Sequence, residues 1–143
     1  ENDKARLRDL ARNSRCISAD VGAAFDPVYS DVFDPQNSAY LGHGPVIQKY
    51  TGARGKVSAS DASAELFYSL VSQLEKEGVF WQTGELGKVD AGGGGTVAKY
   101  IANKNIDTVD LGVPVISMHA PYEVISKMDL YMTYKALLAF FVA

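Results

Sequence analysis

Short apolar runs alternate with segments of helical period along this chain, and that alternation limits the fold more than any other feature. Residues 4–14 place Leu7, Leu10 and Ala11 on one helical face, with charges opposite. Asn13-Ser14 closes that helix. Cys16-Ile17-Ser18-Ala19-Asp20-Val21 then predicts a short buried strand with one carboxylate near its end. Residues 25–44, rich in Asp, Pro, Asn, Gly and Tyr, show no period and predict a long ordered loop. Pro45-Val46-Ile47-Gln48-Lys49-Tyr50 predicts a second strand, ahead of the turn-prone Thr51-Gly52-Ala53-Arg54-Gly55-Lys56. A helix capped by Ser60 or Asp61 follows, with Ala64, Phe67, Leu70, Val71 and Leu74 on one face and Gly78 at its end.

Val79-Phe80-Trp81-Gln82-Thr83 predicts the next strand, and four consecutive glycines at 92–95 open into a helix over 96–103. Residues 106–111 and 113–118 predict two strands, or one strand with a break. The last helix is expected to start near Pro121 and run to the end. The order α-β-loop-β-α-β-loop-α-β-β-α predicts an α/β domain, a mixed sheet of about five strands with helices packed on both faces.

A length of 143 residues fits one domain. The net charge of −3 offers no basic footprint, which argues against a nucleic-acid partner. Cys16 is the only cysteine, so an internal disulfide is ruled out and a reducing compartment is expected. Its place at the start of an apolar stretch favours a structural thiol over a nucleophile. No segment reaches the ~18 apolar residues of a membrane span, and residues 1–15 lack the apolar core of a signal peptide. The chain has no initiating methionine and stops inside the apolar run 136–143. We therefore expect a piece of a longer protein.

Asp20, near the end of an apolar strand, must be paired, hydrogen-bonded or bound to metal if it is buried; a turn cap is the plainer alternative. His119 directly follows the apolar residues 113–118. Ligands of open α/β sheets collect outside the carboxyl ends of strands, so Asp20 and His119 can converge there. One aspartate and one histidine suit zinc or a similar divalent ion, although a structural histidine fits the same sequence. Gly93, Gly94 and Gly95 invite an anion-binding reading. The segment nevertheless lacks both the lysine ending of a phosphate loop and dinucleotide spacing. Flexible backbone lining a pocket, its amides meeting a substrate carbonyl or carboxylate, is the better expectation. His43 suits a surface or substrate-contacting role. Lys49, Arg54 and Lys56 form a small basic patch, a solvated edge or a receiver of a substrate carboxylate.

Four blocks, in order, resemble the M18 metalloaminopeptidases. They are Ser18-Ala19-Asp20 with Asp26-Pro27-Val28-Tyr29, then Gly44-Pro45-Val46-Ile47, then Ala59-Ser60-Asp61-Ala62, then Leu111-Gly112-Val113-Pro114-Val115-Ile116-Ser117-Met118-His119-Ala120. Trp81-Gln82-Thr83-Gly84-Glu85-Leu86-Gly87-Lys88-Val89-Asp90, leading into the glycine run, resembles the bacterial-type branch.

The resemblance implies the carboxy-terminal part of a zinc-peptidase-like three-layer αβα domain, incomplete in this chain. It implies two divalent ions, zinc with cobalt or manganese as alternatives, with Asp20 ligating one and His119 the other. It also implies a peptide substrate, a cytoplasmic setting and a homo-oligomer, a dodecamer in the family. The family's remaining His, Asp and Glu ligands and its general-base glutamate come from earlier in the chain, so no catalytic residue is assigned here. The isolated piece is expected to be inactive. Eukaryotic relatives carry a substrate-receiving lysine after Gly-Pro-Val-Ile; here Gln48 stands there and Lys49 follows. Lys49 is retained with Gly93, Gly94 and Gly95 as a substrate-binding candidate. The alternative is a non-catalytic peptide-binding or assembly module.

Overall fold

A computed structural model describes residues 2–54, 57–88 and 90–142. Gly55 and Lys56 of the basic patch, and Val89 of the bacterial-type block, lie outside the described residues. The described elements are α1 (Asn2–Arg12), β1 (Arg15–Ala23), β2 (Val46–Gln48), β3 (Tyr50–Ala53), β4 (Val57–Asp61) and α2 (Ala64–Lys76). They continue through β5 (Gln82–Thr83), β6 (Gly93–Gly94), α3 (Ala98–Ala102), β7 (Asp107–Ile116), β8 (Val124–Ile125) and α4 (Lys127–Phe141). A short 3-10 helix, Pro27–Val32, interrupts the long loop after β1.

The main sheet is mixed, in the order β1-β7-β2-β5, with β8 also pairing β7. β1 runs parallel to β7 with Arg15 opposite Asp107 and Ala23 opposite Val115, while β2 pairs β7 antiparallel. The two segments 106–111 and 113–118 thus share one continuous central strand, Asp107–Ile116, and Pro114 does not break it. The Val115 carbonyl accepts from Ala24 on the β1 side. Alternation turns the Pro114 nitrogen the other way, into the gap between β2, paired as far as Gly112, and β8, paired from Val115. A proline there costs no ladder bond.

Alternation along β7 also separates two faces. Val109 and Leu111 turn toward α2 and α4, where they pack with Ile47, Leu66, Leu70, Leu74, Ala136 and Ala139. The buried face of α2 is therefore Leu66-Leu70-Leu74, with Phe67 and Val71 half-buried beside it and Ala64 exposed. Each buried leucine contributes roughly 1.5–3 kcal/mol from removal of its surface from water. The opposite face of β7 carries Thr108, Asp110, Gly112 and Pro114, and meets α3 and a second sheet. That sheet, β4-β3-β6, is antiparallel throughout and was not foreseen, because residues 51–61 read as a turn followed by a helix cap.

Cap chemistry sets the true helix limits. Ser63, not Ser60 or Asp61, starts α2: its hydroxyl accepts from Leu66 N at 3.1 Å and donates to Asp107 Oδ2 at 2.6 Å. At the other end Gly78 N bonds Glu75 O and Val79 N bonds Leu74 O, the paired closure that a left-handed glycine allows. Ser126 caps α4, so that helix begins six residues after the predicted Pro121, with β8 in between. β1 is half-exposed along most of its length rather than buried, since it is the edge strand among the described residues.

Asp129, in the first turn of α4, is fully buried and accepts from the backbone amides of Gly42 and Gly44 at 2.7 and 2.8 Å. A carboxylate gripping two amides fixes the loop that carries His43. Asp129→Ala in the full-length protein should leave both amides unsatisfied and cost on the order of 3 kcal/mol, read by denaturant unfolding.

A candidate metal-binding cavity at the strand ends

β1 and β7 are parallel, so their carboxyl ends lie on the same side of the sheet. Asp20 sits on β1, three residues before that end. His119 lies three residues beyond the end of β7. Both line one cavity of about 380 Å³, together with Val21, Ala23, Leu86, residues 93–97 and Met118. Asp20 and His119 are exposed at this cavity. The Asp20 Oδ1 accepts from the Val21 amide at 2.7 Å, while the His119 amide donates to Glu123 Oε1 at 2.6 Å.

The close approach of β1 to β7 at this point depends on Gly112. A Cβ on it would stand 1.2 Å from the Asp20 carbonyl oxygen, a distance no side chain can occupy. His119 itself has φ +68, and Ser117 two residues earlier has φ +60. This left-handed backbone is one that a non-glycine residue adopts at a cost of about 1–2 kcal/mol. Such strain concentrates where a side chain must be aimed at a fixed point.

The glycine run is not a flexible flap. Gly93 and Gly94 form β6 and pair with Ala53 and Gly52 of β3. At Gly93, φ is +90 and a Cβ would meet the Gly52 carbonyl at 2.3 Å, so only glycine fits. The helix that follows, expected over 96–103, is limited to Ala98–Ala102.

Of the candidates from sequence, the structure brings together Asp20, His119, Gly93, Gly94 and Gly95. Lys49 lies outside the lining of this cavity, and its ammonium is paired with Asp61 at 2.6 Å. His43 sits in the exposed loop held by Asp129, with its ring against Tyr40. The Cys16 thiol is pushed up by burial and then by the charge of Asp110, which keeps it protonated and poorly nucleophilic.

Sequence reasoning missed Asp110. It is 5% exposed on the central strand and accepts from the Thr96 hydroxyl at 2.7 Å. Burial pushes its carboxyl above the usual range. The hydroxyls of Ser18, Thr96 and Thr51 oppose that shift, and the charge of Asp20 reinforces it. No periodicity marks this residue; only the register that sets Ser18 beside it could.

Among the described residues, no group of three or more His, Cys, Asp or Glu side chains converges on a metal position. The donor chemistry of Asp20 and His119 fits a divalent ion in kind, one hard oxygen donor and one imidazole, but falls short of a full coordination shell.

The folded form of Asp110 holds its proton to higher pH than the unfolded chain does. Its contribution to stability is therefore fully present below the ordinary carboxylate range of about 4 and is lost as pH rises through the raised value. Asp110→Asn should remove that slope. The variant gains stability relative to wild type as pH rises above about 4, measured by denaturant unfolding at several pH values.

Comparison with known proteins agrees with this geometry. The family model described as Aminopeptidase I zinc metalloprotease (M18) matches residues 1–141. A probable M18 family aminopeptidase 1 of Clostridium acetobutylicum is 50% identical over 138 residues, covering 96% of this chain and 30% of its own length. The crystal structure of an M18-family aminopeptidase from Thermotoga maritima superposes with TM-score 0.92 at 45% identity, covering 97% of this chain and 31% of that one. A more distant neighbour, 27% identical with TM-score 0.62, is a dodecamer in its crystal; 94% of this chain and 36% of that chain are covered. The chain thus spans about 30% of the length of the curated relative. With its family model, its sequence identity and its fold all in agreement, the chain belongs to the M18 family of aminopeptidases.

Proposed function

We propose that residues 1–143 are the carboxy-terminal part of the catalytic domain of a metal-dependent aminopeptidase that removes amino-terminal residues from peptides. The observation that carries this reading is the meeting of Asp20 and His119, far apart in sequence, at one cavity beyond parallel strand ends. In this reading Asp20 is a ligand of one divalent ion and His119 of a second, zinc being the ion that the family description names. Cobalt and manganese are the alternatives. Such ions supply Lewis-acid polarisation of the scissile carbonyl and a water nucleophile at neutral pH.

The chain's own residues position the substrate. The backbone of Gly93, Gly94 and Gly95 walls the cavity and offers amides to a substrate carbonyl or carboxylate. Val21, Ala23, Leu86, Val97 and Met118 give the same cavity an apolar lining that suits an uncharged amino-terminal side chain. Gln48, where eukaryotic relatives place a lysine, is uncharged and 4% exposed. Lys49 enters this scheme only through its ion pair with Asp61. These observations support a preference for neutral over acidic amino-terminal residues.

We extend the reading to a homo-oligomer, supported by the dodecameric neighbour. We also place the protein in the cytoplasm, supported by a single cysteine free of any disulfide. No helix among the described residues is long and apolar enough to cross a membrane. The second reading is a non-catalytic peptide-binding or assembly module.

The full-length protein decides between them. His119→Ala should lose one metal ion per subunit. It should also lower kcat/KM by at least about 1000-fold, roughly 4 kcal/mol of transition-state stabilisation. Retained activity with full metal content would sink the assignment. Leucyl and aspartyl peptides should be cleaved with kcat/KM in favour of the leucyl substrate by at least tenfold, on the order of 1.4 kcal/mol.

A further inference from the structure

Behind the cavity wall, a short chain of hydroxyls ties three elements together. Thr96, directly after the glycine run, donates to Asp110 Oδ2 at 2.7 Å, and its Oγ1 lies 3.2 Å from that of Thr51. Asp110 belongs to the central strand β7, and Thr51 to β3 of the small sheet. Both are buried, at 5% and 1% exposure. Thr96 also lines the cavity that holds Asp20 and His119.

The wall is therefore pinned at two points. Gly93 and Gly94 are held by pairing with β3, and Thr96 is held by Asp110. Between the pins lies Gly95, where a Cβ would stand 2.8 Å from the Ser58 carbonyl oxygen, so the backbone there passes close to β4. That stretch presents bare backbone to the cavity, with no side chain of its own to keep it in place. Where the backbone sits is decided by its two anchors together with the close approach of Gly95 to Ser58. The Ser18 and Thr51 hydroxyls also act on this carboxylate, but Thr96 supplies the bond to Oδ2, while Oδ1 has no partner within hydrogen-bond distance among the described residues. Loss of the Thr96 hydroxyl would remove the bond to Oδ2 as well.

We propose that Asp110 is a positioning residue that, acting through Thr96, fixes the Gly94-Gly95 wall of the cavity and thereby sets substrate affinity. It touches neither the substrate nor a metal ion. Its effect on affinity rests on the aminopeptidase reading above, whereas its hold on the wall does not.

The test uses the full-length enzyme with Thr96→Val, which removes the hydroxyl at nearly constant volume, and Thr96→Ser, which keeps it. Thr96→Ala serves as a second deletion in case the added methyl disturbs folding. Amide hydrogen exchange at residues 94–97 should quicken about tenfold in the Val and Ala variants, the scale set by loss of a hydrogen bond to a charged group. KM for a peptide substrate should rise by a similar factor, with kcat within about twofold and metal content unchanged, and the Ser variant should match wild type in every readout. Unchanged exchange, unchanged KM, a loss of metal, or a Ser variant no better than Val would each overturn the proposal. A wild-type enzyme without peptidase activity would overturn the aminopeptidase reading instead, and the exchange rates would still decide whether Asp110 holds the wall.

Discussion

Parallel pairing of β1 with β7 is the constraint on which the remaining structure depends. It runs over nine residue pairs, from Arg15 with Asp107 to Ala23 with Val115. Because side chains alternate, the same register sends Val109 and Leu111 into the helical core and Asp110 and Gly112 to the opposite face. A slip of one residue would either bury Asp110 among leucines or carry Asp20 to the wrong side of the sheet, according to which strand shifts. Gly112 guards that register, since only a residue without a Cβ lets the Asp20 carbonyl approach.

Legibility in the sequence followed the range of the interactions involved. α2 was readable because its apolar period, its C-terminal Gly78 and its length are all local signals; even so, its start was misplaced, because Asp61 goes to Lys49 and leaves Ser63 to cap. The strand β1 and the ligand candidates Asp20 and His119 were legible from apolar runs with a polar residue at the end. The hairpin of β3 and β4 was not. Its residues are mostly small, without apolar alternation, and its packing partners β6 and α3 lie far along the chain. β7 reads from sequence as two strands, or one strand with a break, because Gly112 and Pro114 are ordinary breakers, and only the neighbouring strands show why neither breaks it here. Asp129 and Asp110 carry no sequence signal at all, since each is defined by partners distant in the chain.

The candidate site combines a rigid scaffold with local strain. Strand pairing sets Asp20, whereas a left-handed turn sets His119, and the backbone there would relax more readily with glycine. The Glu123 carboxylate offsets part of that cost by accepting the His119 amide. Across the cavity the glycine wall is defined by pairing with β3 and by Thr96, so the two sides of the cavity are fixed by different means. A substitution that loosens one side need not disturb the other.

The position of Asp129 bears on how the chain folds as it is made. Synthesis proceeds from the amino terminus, so the loop containing Gly42 and Gly44 leaves the ribosome well before α4. Until Asp129 emerges, the two amides lack their carboxylate partner, although Gln82, made earlier, already bonds the loop at Tyr40 and Gly44. β7, which separates β1 from β2, is likewise made after both. The main sheet therefore cannot assemble progressively along the chain. It must wait for late residues to be inserted between early ones, and during that interval the edges of β1 and β2 stay open to other nascent chains.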